Sequence, residues 1–160
     1  MPEVSMTLRF YFAIALSLLP ACAAAQSTAW RTYVVAETGT KVDVPVTIFS
    51  NDAGKPDGGY GRRFLTSDGR ANLTVQSIPN TENDSPAVFL SKKKPPSGIV
   101  YKRVTSRFFV ASSVLNGRIW YNRCNRGAGY MQCVLINYPA DEKRKWDGVV
   151  TRISSSLTSN

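Results

Sequence analysis

The dipeptide Asn116-Gly117, set between two runs rich in apolar residues, constrains this chain more than any other feature. Both residues accept positive φ, so Asn-Gly closes a two-residue turn whose twist matches a pair of antiparallel strands. Such a turn also sets register, because a slip of one residue sends every side chain to the other face. From it, Val114 faces Ile119, Ser112 faces Tyr121 and Phe109 faces Cys124. Placing Cys124 opposite Cys133 carries the pairing to a further strand and sets Tyr121 against Ile136. The whole segment reads as an antiparallel meander over residues 99–104, 108–115, 118–124 and 131–138.

That register sorts side chains into two sets. Val110, Val114, Ile119, Tyr121, Val134, Ile136 and Tyr138 share one face, and Phe109, Ala111, Leu115, Trp120 and Leu135 share the other. A sheet wetted on one side alternates cleanly between apolar and polar; here both faces are apolar, so both are at least partly covered. One cover is a terminal helix, since Trp146, Val149, Val150, Ile153 and Leu157 recur at helical spacing. Asp141 and Glu142 fall in its first turn, where negative charge suits the helix dipole, and Gly148 inside it allows a kink. A second helix opens at Ser85-Pro86, with serine as cap and proline at the first helical position, and runs to Lys94. Pro95-Pro96 ends it.

Upstream, Val42, Val44, Val46 and Ile48 alternate with polar residues or proline, which marks a half-buried strand; Pro45 confines it to an edge. Residues 50–61 form a glycine-rich loop. Residues 63–66 and 71–77 read as two strands joined at Asp68-Gly69. The class is therefore α+β: an antiparallel meander with helices packed on it, in the limit a three-layer α/β/α sandwich.

Residues 1–25 read as a secretory leader. Arg9 supplies positive charge, residues 10–19 an apolar run too short to span a bilayer comfortably, Pro20 a break, and Ala23-Ala24-Ala25 a small-residue cleavage site. Met6 is an alternative start. Leu19-Pro20-Ala21-Cys22 bears a faint likeness to a lipobox, with proline in an atypical place, so a lipid anchor at Cys22 is the competing reading. Residues 26–160 then form a single domain of periplasmic or secreted location. Cleavage removes Cys22 and leaves Cys124 and Cys133, an even pair that in an oxidising compartment reads as a disulfide, with two buried free thiols as the alternative.

A capped helix follows the hairpin of residues 64–75; then come the meander and a terminal amphipathic helix ending Ile153-Ser154-Ser155-Ser156-Leu157. This order resembles the Mog1/PsbP-like α/β/α sandwich. The stretch from Tyr138 to Ile153 also resembles the end of secreted proteins of alphaproteobacteria, which carry no transferable function. The PsbP-like resemblance implies non-enzymatic assembly or binding proteins.

The chemistry is defined largely by exclusion. The sequence contains no histidine, which removes Ser-His and Cys-His nucleophile pairs and imidazole-based zinc sites. No phosphate-binding glycine motif or Cys-x-x-Cys pair occurs, and nothing calls for a cofactor or a metal. Carboxylates remain, so a carboxylate-dependent hydrolase acting on an envelope polymer is the alternative to a binding module, and two facing carboxyls in a pocket would mark it. The formal net charge of +9 points to an anionic envelope component or an acidic protein as partner; nucleic acid is not expected. The candidate site is the loop pinned by Cys124 and Cys133, with Arg123, Arg126 and Tyr130; Lys92, Lys93 and Lys94 are a second basic cluster. Lys102, Arg103 and Arg107 add charge, but their facing is not determined by the sequence.

Overall fold

The computed structural model describes residues 28–158, so the leader assigned to residues 1–25 lies outside them. Two antiparallel strands come first, β1 (Trp30–Val35) and β2 (Thr40–Pro45), and pair with each other as a sheet separate from the larger one. A seven-stranded antiparallel sheet follows, built from β3 (Asn51–Asp52), β4 (Tyr60–Leu65), β5 (Asn72–Pro79), β6 (Ile99–Val104), β7 (Phe108–Leu115), β8 (Arg118–Arg126) and β9 (Tyr130–Pro139). Its spatial order is β3-β4-β5-β9-β8-β7-β6, so β9 lies at the centre and β6 forms one edge. The helices are α1 (Pro86–Lys93) and α2 (Lys143–Ser156).

The register expected from Asn116-Gly117 is the one observed. Both residues hold positive φ, at 51° and 70°, and Val114 pairs with Ile119, Ser112 with Tyr121, Phe109 with Cys124, and Tyr121 with Ile136. Cys124 and Cys133 stand directly opposite each other, 4.1 Å apart at Cα, and are joined by a disulfide.

Each face of the sheet has its own core. On one, α2 and the β1–β2 hairpin cover Leu73, Val75, Ile119, Val134, Ile136 and Tyr138. Trp146 of α2 stacks on Tyr138, with ring centroids 5.4 Å apart, and its Nε1 donates to Glu142 Oε2 at 3.1 Å. Losing that ring to alanine should cost about 3–5 kcal/mol, the range for a large buried aromatic. On the other face α1 sets Phe89 and Leu90 against Phe109, Ala111, Met131 and the disulfide. The arrangement is α+β, with helices on both faces of an antiparallel sheet.

Local chemistry explains the boundaries. Ser85 Oγ accepts from the Val88 N–H and Pro86 follows it, so α1 begins where a cap and a preset φ coincide. It ends at Lys93, with Lys94 left-handed at φ 47°. The residues assigned to the first turn of the last helix, Asp141 and Glu142, instead form a short 3-10 turn over Ala140–Glu142, and α2 starts at Lys143. Asp68-Gly69 lies within a six-residue connection closed between Thr66 and Ala71; there Asp68 Oδ1 accepts from Thr66 Oγ1 and the Arg70 N–H. The edge role read from Pro45 takes an unexpected form: β2 belongs to the separate hairpin and packs on α2.

The hairpin is attached at several places, among them a hydrogen bond from Asp43 N–H to Ser156 Oγ at 2.8 Å. Thr38, Thr40 and Ser77 form a closed ring of hydroxyls at 2.8–3.0 Å. The chain's end forms a bridge with β2, Lys41 N to Thr158 O at 2.9 Å and Thr158 N to Lys41 O at 3.0 Å.

Candidate functional site

The strands β8 and β9 run closer together than the sequence suggests, to Arg126 and Tyr130, so the connecting loop is only Gly127-Ala128-Gly129. Arg123 and Arg126 are therefore strand residues three apart, and a pleated strand sends them to opposite faces. Arg126 donates from Nη2 to the carbonyl and side-chain oxygens of Asn83, at 2.9 and 2.7 Å. Arg123 lies on the α2 side, where its Nε reaches Asn125 Oδ1 at 3.1 Å. Tyr130 is half-buried and packs edge-on to Tyr60, 6.1 Å between centroids. The three residues do not converge on one point.

The lysines are spoken for in different ways. Lys92 Nζ bonds Asp84 at 2.7 Å and also Glu82, which holds its pKa above the ordinary value. Lys93 lies over the Phe89 ring at 5.4 Å, and Lys94 is the left-handed cap residue.

A different cationic surface is assembled by the sheet. From Ser85 to Ala140 the chain has no Asp or Glu but carries Lys92, Lys93, Lys94, Lys102, Arg103, Arg107, Arg118, Arg123 and Arg126. Those nine residues equal the whole net charge of +9, and the rest of the chain is balanced. Among the described residues, no ion pair involves Lys102, Arg103, Arg107, Arg118, Arg123 or Arg126. Arg103 on β6 and Arg123 on β8 both pair with Val110 of β7 and so share a cross-strand row. Their guanidiniums lie over the same ring, Phe108, at 5.5 and 4.9 Å from its centroid. α2 meets this face along β8: Tyr121 Oη lies 2.5 Å from Ser154 Oγ, where burial keeps the Tyr121 pKa raised, Arg123 Nη1 donates to the same Ser154 Oγ at 3.4 Å, and Asn125 Nδ2 donates to the Leu157 carbonyl at 3.1 Å. Past β8 the edge lies open, and all six residues of β6 are exposed, Val100 at 66% and Tyr101 at 52%.

Two carboxylates do line one pocket, of about 230 Å³, beside Trp146: Asp68 and Glu142. Hydrogen bonds from Thr66 and the Arg70 amide hold the Asp68 pKa below its usual value. Those from Trp146 and Lys145 do the same for Glu142, which also pairs with Arg70 at 2.7 Å. A glycosidase-type pair needs one carboxyl kept protonated as general acid, and here both are driven toward the anion. Their visible work is to hold the 66–71 turn against the start of α2. No cluster of three or more His, Cys, Asp or Glu side chains suited to a metal occurs among the described residues.

No family model and no curated protein matches the sequence. Solved structures do match the fold. The cyanobacterial PsbP protein (CyanoP) of Synechocystis sp. PCC 6803, determined in solution, aligns over 89% of this chain and 99% of its own, with a TM-score of 0.61 and 10% identity. The chain therefore has a PsbP-like fold; at that identity the likeness shows architecture and not activity. No helix among the described residues is long and apolar enough to cross a membrane.

Proposed function

We propose that this chain is an exported, non-enzymatic binding module whose β6–β8 edge receives an extended acidic segment of a partner. The carrying observation is the segregation of charge: the entire excess of positive charge lies in an acid-free stretch, and its strands set Arg103 and Arg123 over one ring beside an exposed edge strand. An edge strand offers unpaired backbone groups to an added strand, and guanidiniums grip carboxylates in a forked geometry. Self-association is disfavoured, because two β6 edges side by side bring Lys102 and Arg103 of one copy near those of the other.

Export is supported by the leader residues and by the disulfide, a bond that persists in oxidising compartments. The resemblance of the Tyr138–Ile153 stretch to secreted alphaproteobacterial proteins points the same way. The absence of an acid/base pair at the Asp68–Glu142 pocket supports the non-enzymatic reading over a carboxylate hydrolase.

The test is binding of a fluorescently labelled oligoglutamate peptide, read by anisotropy at low, fixed salt. Arg103→Ala with Arg123→Ala should weaken binding about tenfold or more, and Lys92→Ala with Lys93→Ala far less. Binding should also fade as salt passes about 0.1 M, where the screening length is about 10 Å. Equal losses in the two double variants would mean diffuse attraction to a cationic protein and would discard the edge as a site.

A further inference from the structure

The face of the sheet that α1 occupies is covered over only part of its area. Beside α1 run two cross-strand rows. One passes from Asn72 on β5 through Asn137 on β9 and Trp120 on β8 to Ser113 on β7. The other passes from Arg63 on β4 through Thr74, Leu135 and Asn122 to Ala111 and Lys102. Together they floor a trough crossing the strands from β4 to β7, about 20 Å long at the usual strand spacing. Two adjoining hollows of about 170 and 520 Å³ lie along it and share Asn72, Thr74 and Leu135.

Both walls are pinned. At one end Gln76 Nε2 donates to the carbonyls of Asp57 (3.1 Å) and Gly58, holding the glycine-rich loop upright. The same loop is tied to β4 by Ala53 N to Arg63 O and Arg63 N to Gly54 O, each 2.8 Å. At the other end Ser113 Oγ donates to the Pro96 carbonyl at 2.9 Å, fixing the Pro95-Pro96 wall. A ligand entering here meets a preformed site and orders little on binding.

The floor has a definite chemistry. Asn137 is spent internally, accepting from Arg118 Nε and donating to the Ile119 carbonyl. The side chains of Asn72, Thr74 and Trp120 make no hydrogen bond to other described residues. Asn122 reaches only the Cys124 sulfur at 3.4 Å, and a disulfide sulfur has no hydrogen to give. Trp120 is 41% exposed, although it stands on the centre of a sheet face. The floor thus presents unspent amide and hydroxyl groups around one indole, with no carboxylate on it. Among the described residues, Asp57 on the loop wall is the only acid lining the trough.

We propose that this trough binds a linear, uncharged polyhydroxylated chain, that is, a glycan strand. Vicinal hydroxyls both donate and accept, which matches side-chain amides, and the C–H face of a pyranose suits an indole ring. An acidic polymer is better served by the opposite face, where Arg103 and Arg123 lie. The inference stands apart from the acidic-partner reading, since Trp120, Asn72, Thr74 and Asn122 lie on the sheet face opposite Arg103 and Arg123.

The test is titration of the full mature protein with cellotetraose and with chitotetraose, followed by calorimetry and tryptophan fluorescence. Saturable binding of at least one tetrasaccharide is expected at millimolar concentration. Trp120→Ala should weaken it about tenfold or more, as expected for removing a central aromatic anchor. Trp120→Phe should retain part of it, and Arg103→Ala with Arg123→Ala should leave it unchanged. Trp120 is on the surface, so both variants should fold, and unchanged melting temperatures will verify that. No saturable binding of either sugar, or binding indifferent to Trp120→Ala, overturns the proposal. So does preferential binding of a proline-rich peptide, which would make the trough a groove for extended polypeptide.

Discussion

Reducing the Cys124–Cys133 bond should cost the fold about 2.7 kcal/mol. The figure follows from the ten-residue loop closed by a sequence separation of 9 and from the entropy that closure removes from the unfolded chain. With an unfolding entropy of about 2.1 cal/mol/K for each of the described residues, that is a fall of about 10 °C in melting temperature. Cys124→Ala with Cys133→Ala should cost more. Both cysteines are about 1% exposed and packed with Phe89 and Phe109, so removal of their sulfurs leaves a void worth roughly 1 kcal/mol for each. Comparing three samples by differential scanning calorimetry separates these effects: oxidised protein, protein reduced and held under reductant, and the double variant. The sheet itself should survive in all three, because nine residue pairs align β8 with β9. A drop below about 3 °C on reduction would refute the chain-constraint argument and imply that the unfolded ensemble already holds this hairpin. A reduced protein that no longer melts cooperatively would refute the claim that the ladder suffices for register.

Burial pushes the Tyr138 pKa up to about 12 from 10.0. The neutral form is therefore favoured in the fold, stability is intact below pH 10, and it falls as pH rises toward 12; Tyr138→Phe should flatten that alkaline loss in melting scans. Glu142 behaves in the opposite sense. Its lowered pKa gives stability that is present above its ordinary 4.5 and is lost as pH falls through the lower folded value, and Glu142→Gln should reduce the acid sensitivity. Gly61 sits at φ +137° with the Val75 carbonyl oxygen where a Cβ would stand, so Gly61→Ala should cost about 3 kcal/mol or more in urea titrations, against little for the unobstructed Gly148→Ala. Intact mass of the exported protein should correspond to a chain beginning at Gln26; a diacylglyceryl mass on a chain beginning at Cys22 would replace the free form with an anchored one.

What was legible followed from local chemistry with a single solution. Asn116-Gly117 admits one turn, which fixed the pairing of β7 with β8; the even cysteine pair gave the disulfide, and setting Cys124 opposite Cys133 carried the register to β9 and with it the double-sided cover. Ser85-Pro86 likewise marked the start of α1. The cationic pair was not legible, because Arg103 reaches the row of Arg123 only through an irregularity at Val100 between Ile99 and Tyr101, and no residue there announces it. The trough stayed hidden for another reason: it needs the order β4-β5-β9-β8-β7, which brings Asn72 beside Asn137 across a long stretch of chain. The divergence of the loop residues was hidden at the level of pleat. Once the strands extend to Arg126 and Tyr130, period-two alternation parts the two arginines. One available signal was overlooked, the run from Ser85 to Ala140 without a single acid, which can be counted directly.

The bridge between Lys41 and Thr158 gives the molecule a direction in time. The hairpin made first during synthesis finds its final backbone partner only when residues 156–158 follow, and Asp43 N–H waits likewise for Ser156 Oγ. Closure of so long a span comes late, since its entropy must be met before the contact gives anything back. The central meander is joined by local turns and can pair first, while β1 and β2 remain available to proteases until residues 156–158 arrive. A chain ending after Ser155 should therefore keep its central strands under limited proteolysis yet be cut within residues 30–45; equal protection there would show that α2 alone seats the hairpin.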